Sequence, residues 1–294
     1  MRTLVLCLVV LVAAAAATSQ CGQVKKNPVS AAILNSPEVE AVIRAKRGAN
    51  QTGEAILGGQ YASSGSWPWT VSICLLDWFG NCNFKTAGTI ISDLYVVSSY
   101  YDLNHGDKDT SYHVRAGSTN WNSGGQFVQV EFIYYITDYD SKSHYDDITV
   151  IKLGFPLTFN DYVQPICLTS NDAGMIDAGD KAWFNGWGHT SGSIFATQPK
   201  EMVQANFPID SNGLCQNKYK NYNTKTMLCA GGESTTACNW DAGGPLMREK
   251  NGIWYLIGVE VTSNDFGSCE SATVFTRASQ YCWFFSKNAG VSCT

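Results

Sequence analysis

Residues 126–136 read Gln-Phe-Val-Gln-Val-Glu-Phe-Ile-Tyr-Tyr-Ile, a run of β-branched and aromatic side chains preceded by Asn122-Ser123-Gly124-Gly125. Such residues suit a pleated, half-buried strand, and clusters of Gly, Asn, Asp and Ser suit the turns that end one. Similar runs recur at Thr70 to Leu76, Thr89 to Val97 and Trp254 to Val261, separated by the same turn residues. The pattern is all-β. A short helix is expected from Ser279 to Lys287. Another is expected where Ser36-Pro37-Glu38 supplies an N-cap, a first-turn proline and a first-turn acid, running towards Arg44. The chain after its first 17 residues shows no repeat period, heptad or low-complexity segment. The part from Ile56 onward suits one body.

The chain has 294 residues, 45% of them hydrophobic and 15% charged, which is enough apolar material for a substantial core and excludes wholesale disorder. Its formal charge of -5 offers no basic footprint for a phosphate backbone, so nucleic acid is not an expected partner. The apolar run Leu4 to Ala17 follows Met1-Arg2 and ends in alanines. It falls short of the roughly 20 residues that span a bilayer, so residues 1–17 read as a secretory signal and no membrane span is expected. Residues 18–55 read as propeptide and linker, and 56–294 as the main domain. Residues 18–47 hold five Lys/Arg against two Glu, or +3; with Arg2, this leaves -9 on residues 48–294.

Of the 11 cysteines, Cys7 lies in the signal, leaving ten in an oxidising compartment and an expectation of five disulfides. No two cysteines lie two to four residues apart and no His-Glu-x-x-His occurs, so no metal and no cofactor are expected. Arg44-Ala45-Lys46-Arg47 resembles a proprotein-convertase site, and the small, polar Gly48 to Gly53 follows it. Cleavage after Arg47 is expected, against the alternative of a solvated charge run. Asn50-Gln51-Thr52 is the one glycosylation sequon.

Five further stretches share one frame: Ile56-Leu57-Gly58-Gly59; Trp67-Pro68-Trp69-Thr70-Val71-Ser72; Asp147-Ile148-Thr149-Val150-Ile151-Lys152-Leu153; Pro165-Ile166-Cys167-Leu168; and Gly186-Trp187-Gly188. Together they resemble the trypsin and chymotrypsin family of serine proteases, in that family's order. The resemblance implies two six-stranded antiparallel β-barrels with the active cleft between them and a short C-terminal helix.

In that family a serine attacks the peptide carbonyl, a histidine takes its proton and a buried aspartate holds the histidine. Active relatives read Thr-Ala-Ala-His-Cys at the histidine, whereas this chain reads Val97-Ser98-Ser99-Tyr100-Tyr101-Asp102, so the resemblance puts Tyr101 at the histidine position. A phenol with a reference pKa of about 10 cannot shuttle a proton at neutral pH as imidazole does. The nucleophile segment is Trp240-Asp241-Ala242-Gly243-Gly244-Pro245, with Ala242 where the serine belongs and Trp240 where a glycine N–H forms half the oxyanion hole. Asp147 is retained and is expected to be held by backbone N–H groups and the Tyr101 hydroxyl. His105, His113, His144 and His189 match no family position facing the cleft.

The specificity pocket is implied to contain Thr236 in place of the aspartate that holds Arg or Lys, with Ser263 and Thr273 in place of lining glycines. No calcium is expected in the loop Ser118 to Gln126, which contains no carboxylate. Family pairing implies Cys21 with Cys167, Cys215 with Cys229 and Cys238 with Cys269. Two family disulfides have lost both partners, at Thr86 and Asp102 and at Ala182 and Arg248. Among Cys74, Cys82, Cys282 and Cys293 three pairings remain open, Cys74–Cys82 with Cys282–Cys293 being the most local. Activation in the family inserts a freed amine, here that of Ile56, beside the aspartate before the nucleophile, here Asp241. Glu54-Ala55 precedes Ile56, so a cut after Arg47 leaves Ile56 internal and the protein zymogen-like, unless an elastase-like enzyme cuts after Ala55.

The expected function is that of a secreted serine protease homologue without hydrolytic activity, which binds a protein as cofactor, decoy or regulator of an extracellular proteolytic cascade. An active peptidase with unorthodox residues and an inert structural secretion are the alternatives.

Overall fold

The computed structural model describes residues 21–24, 56, 58–137, 139, 144–189, 197–210, 213–232, 235–261, 269 and 272–294. The expected signal, the helix towards Arg44, the Arg47 cleavage site, the Asn50 sequon and Ser263 lie outside the described residues.

The first half folds as a closed barrel in the order β2-β3-β4-β7-β6-β5. Its strands are β2 (Thr70–Leu76), β3 (Cys82–Ile90), β4 (Tyr95–Ser98), β5 (Tyr112–Ala116), β6 (Gln126–Tyr135) and β7 (Thr149–Leu153). Strand β5 shows the two-residue alternation of a wall with one dry face: Tyr112, Val114 and Ala116 are buried, while His113 and Arg115 turn outward. In β6 a register shift against β7 falls between Val130 and Phe132. The irregularity lets Val130 and Ile133, three residues apart, both reach the core. The expected strand Thr89 to Val97 is instead two strands and their turn. Ile91 and Ser92 N–H both donate to the Tyr95 carbonyl, and the Ser92 hydroxyl accepts from Leu94 N–H. This local side-chain bond lets Ser92-Asp93 interrupt an otherwise apolar run.

The second half is a seven-stranded sheet, ordered β1-β9-β8-β11-β12-β13-β10. It comprises β1 (Gln60–Tyr61), β8 (Lys181–Gly186), β9 (Val203–Pro208), β10 (Met227–Ala230), β11 (Pro245–Lys250), β12 (Ile253–Glu260) and β13 (Thr273–Arg277). The expected second six-stranded barrel is thus a half-barrel. A lone bridge between Ile209 and Ala230, flanked by Asp210 N–H to Cys229 O and Gly231 N–H to Pro208 O, joins β9 to β10. Strand β1 occupies the outer edge of β9 as an additional, seventh strand.

Trp67, Trp69, Trp183 and Trp254 weld the halves, with ring centroids 5.2–6.2 Å apart. The Trp67 indole N–H finds Gln204 Oε1 at 2.6 Å, so the buried ring leaves no polar orphan. Helix α1 (Gly213–Lys218) lies in the second half. The C-terminal helix opens as a 3₁₀ turn (Ala278–Tyr281), continues as α2 (Cys282–Ala289) and ends on Gly290 at φ 67°. No helix among the described residues is long and apolar enough to cross a membrane.

Five disulfides join Cys21 to Cys167, Cys74 to Cys82, Cys215 to Cys229, Cys238 to Cys269 and Cys282 to Cys293. The first fastens residues 21–24 to the body, where Gly22 N–H donates to Pro165 O and Trp254 N–H donates to Gly22 O.

Candidate active site

The pairing of Ser98 on β4 with Thr149 on β7 brings the residues beyond β4 beside those preceding β7. Asp147 is fully buried there. Ser99 Oγ lies 2.9 and 3.0 Å from its two carboxylate oxygens, and Tyr101 N–H donates to Oδ1 at 2.8 Å. Burial pushes the Asp147 carboxyl up to about 6, opposed by these donors and by the Tyr100 N–H. The expected Tyr101 hydroxyl is therefore not what holds Asp147: the Tyr101 backbone and the Ser99 side chain do so. The Tyr101 contact to the carboxylate is through its backbone N–H, and 39% of the residue remains exposed.

The Tyr101 ring meets the edge of His144 at 5.3 Å and of His105 at 5.9 Å. His144 is buried at φ 53°, with its Nδ1 3.1 Å from the Tyr139 hydroxyl, and Tyr139 stacks on Tyr100 at 4.0 Å. His144, expected away from the cleft, thus packs against the candidate site. Its position three residues before Asp147 was the available signal. The sequence reading also missed Asp102, whose Oδ2 is buried with no hydrogen-bond partner. Its carboxyl is pushed up to about 8 by burial first and the nearby Asp147 charge second, against Ser99 and Lys85.

The opposite wall is the turn carrying Ala242. The Ala242 carbonyl accepts from Thr86 Oγ1 at 2.5 Å and from Ala87 N–H at 3.0 Å, so β3 anchors the turn. Ser98 Oγ donates to the Ala87 carbonyl at 2.6 Å. Gly243, at φ 71°, is required here because a β-carbon would run into Ala87 O, Ser98 Oγ and Thr86 Oγ1. The Ala242 methyl is 1% exposed. Trp240 adopts φ 74°, a left-handed backbone that side chains rarely take, and its half-exposed indole lies 6.1 Å from the His189 ring.

Behind the turn, Asp241 is fully buried and accepts from Gly188 N–H at 2.8 Å and Cys238 N–H at 2.9 Å. Gly186 and Gly188 leave room for its carboxylate, since a β-carbon on either would collide with it. Burial pushes Asp241 up to about 7, opposed by the two N–H groups. Ile56 is fully buried in the apolar cluster that includes Ala182, Phe184, Ala237 and Leu246. In the implied specificity pocket the hydroxyls of Thr236 and Thr273 lie 3.1 Å apart, and Thr273 Oγ1 accepts from Ala237 N–H. Both threonines are buried. The loop beginning at Ser118 receives a carboxylate from elsewhere, as Glu201 accepts from Thr119 Oγ1 and Asn120 Nδ2. No group of three or more His, Cys, Asp or Glu side chains among the described residues could hold a metal ion.

The family model described as Trypsin matches residues 56–284. The chain belongs to the trypsin family. An ovochymase from Halocynthia roretzi is 30% identical over 253 residues, an alignment covering 83% of this chain and 16% of that relative. The chain therefore spans 16% of the length of this relative. Within the trypsin family frame, the loop after β4, the segment before β7 and the turn before β11 converge between the two halves of the fold.

Proposed function

We propose that this trypsin-family chain is a secreted protein without hydrolytic activity, which acts by binding protein as a cofactor, decoy or regulator in an extracellular proteolytic cascade. The observation that carries this reading is that the hydroxyls of Thr86, Ser98 and Ser99, described near the candidate site, are already committed. Thr86 Oγ1 bonds the Ala242 carbonyl, Ser98 Oγ the Ala87 carbonyl and Ser99 Oγ the Asp147 carboxylate. A methyl group stands where the family places its nucleophile, and a phenol on Tyr101 stands where it places its base. Losing either partner of such a unit typically costs about 10⁶ in turnover. Trp240 stands where the family has its oxyanion glycine, with a backbone at φ 74°, which supports the same reading. Five disulfides favour an oxidising, extracellular compartment.

The test is hydrolysis of a broad peptide library by the processed protein, run beside labelling with a serine-reactive phosphonate. No turnover and no label are expected. Repeated turnover that disappears in Asp147→Ala would replace this reading with an unorthodox peptidase.

A further inference from the structure

The β2–β3 hairpin ends in Asp77-Trp78-Phe79-Gly80-Asn81, and its tip carries two large aromatic side chains turned out to water. Trp78 is 98% exposed and Phe79 87%, the two highest values among the exposed large apolar residues described. The turn beneath them is tightly braced. Asp77 Oδ1 accepts from both Phe79 N–H and Asn81 N–H at 2.8 Å, and Oδ2 accepts from Asn81 Nδ2 at 2.9 Å. Asp77 N–H donates to Asn81 O and Gly80 N–H to Asp77 O, both at 3.0 Å. Cys74–Cys82 clips the strands immediately below.

We propose that Trp78 and Phe79 insert into the interface of an electrically neutral phosphatidylcholine surface and hold the protein there. This goes beyond the reading of a silent protease homologue and does not depend on it. Four N–H donors of the turn are already satisfied internally, which lowers the cost of bringing it to a less hydrated boundary. Beyond this braced turn the two rings are what the tip presents, so recognition falls to apolar area. Tryptophan is suited to that boundary, with a broad apolar ring and one N–H for the headgroup level. Asp77 sets the depth: its carboxyl is held below the usual range, first by the Asn81 side chain, and stays charged in the headgroup layer. Charge selects the lipid. Residues 75–84 contain no Lys or Arg and the chain carries -5, so an anionic surface repels the protein while a zwitterionic one does not.

The experiment uses the full secreted chain with phosphatidylcholine vesicles, reading co-sedimentation and the blue shift of tryptophan emission. The wild type is expected to partition, and Trp78→Ser/Phe79→Ser to lose at least about tenfold of that partition at unchanged Tm. Brominated phosphatidylcholine should quench wild-type emission more than that of Trp78→Phe, whose fold carries no cavity because the ring was in water. Adding phosphatidylserine should weaken partition at low salt, and salt should restore it. An unbound wild type, a double variant that binds as well, or partition that grows with phosphatidylserine would overturn the proposal. It would equally fall if vesicles stayed bare while the double variant lost a purified protein ligand, which would make the tip a protein anchor.

Discussion

The hydroxyl of Thr86 donates to the carbonyl oxygen of Ala242 at 2.5 Å, tying a strand of the first barrel to the turn that carries the would-be nucleophile position. In the family pattern Thr86 occupies a half-cystine position whose partner would be at Asp102, and here its hydroxyl reaches Ala242 instead. Thr86→Val keeps the shape and removes the donor, while the Ala87 N–H still satisfies the oxygen. The expected loss is about 1 kcal/mol, read as a fall of about 2–4 °C in Tm. An unchanged Tm would show that Ala87 alone fixes the turn.

On the reading of a silent homologue, restoring chemistry requires more than the nucleophile. Ala242→Ser alone is expected to remain silent towards peptides, because the Tyr101 phenol cannot relay its proton. Adding Tyr101→His supplies the base beside Asp147, and Trp240→Gly should raise the recovered rate by about 10² or more by freeing the oxyanion donor. Strong hydrolysis by the single variant would reassign the base, with His144 as the nearest imidazole beside Tyr101 described.

Acid should stabilise this protein over a range where many proteins are indifferent. Asp102, Asp147 and Asp241 are pushed up to about 8, 6 and 7, so the folded chain holds these protons more tightly than the unfolded chain does. Stability is then greatest near pH 4 and falls as pH rises through those values, because charging the buried carboxyls has to be matched by burial energy. Below that window the paired Asp172, held low by Arg277 and Ser279 against its own burial, works in the opposite sense. Thermal melts should show a lower Tm at pH 8 than at pH 5, and Asp102→Asn should shrink that gap. A Tm that climbs with pH would refute the assignment.

Cleavage after Arg47 should yield two chains that migrate as one until reduced, because Cys21–Cys167 joins the two sides of the cut. Gels with and without reductant will show this, and terminal sequencing of the larger chain should begin at Gly48. A chain beginning at Ile56 would instead supply an amine for Asp241 and move its carboxyl down.

The strand runs and the family landmarks were legible because burial patterns and half-cystines leave marks on residue type. The split between Ile90 and Tyr95 was not, since the turn rests on one serine hydroxyl inside an apolar run. The same holds at the site. That Asp147 would be buried could be read from its neighbours, but Ser99 as its donor depends on how the chain turns after β4. His144 on Tyr101 and the orphaned Asp102 oxygen arise from contacts between segments more than 40 residues apart in one case and from a lost disulfide in the other, and neither leaves a motif.

Trp240 is held against its backbone's own preference, at a cost of about 1–3 kcal/mol for a left-handed side-chain residue. Alanine at 242 and tyrosine at 101 carry no such penalty. Backbone ease and chemistry therefore sit at different positions: glycine at 240 is the downhill step, yet it supplies neither a nucleophile nor a base. Sturdiness and a cutting edge would thus be won at separate places in the chain.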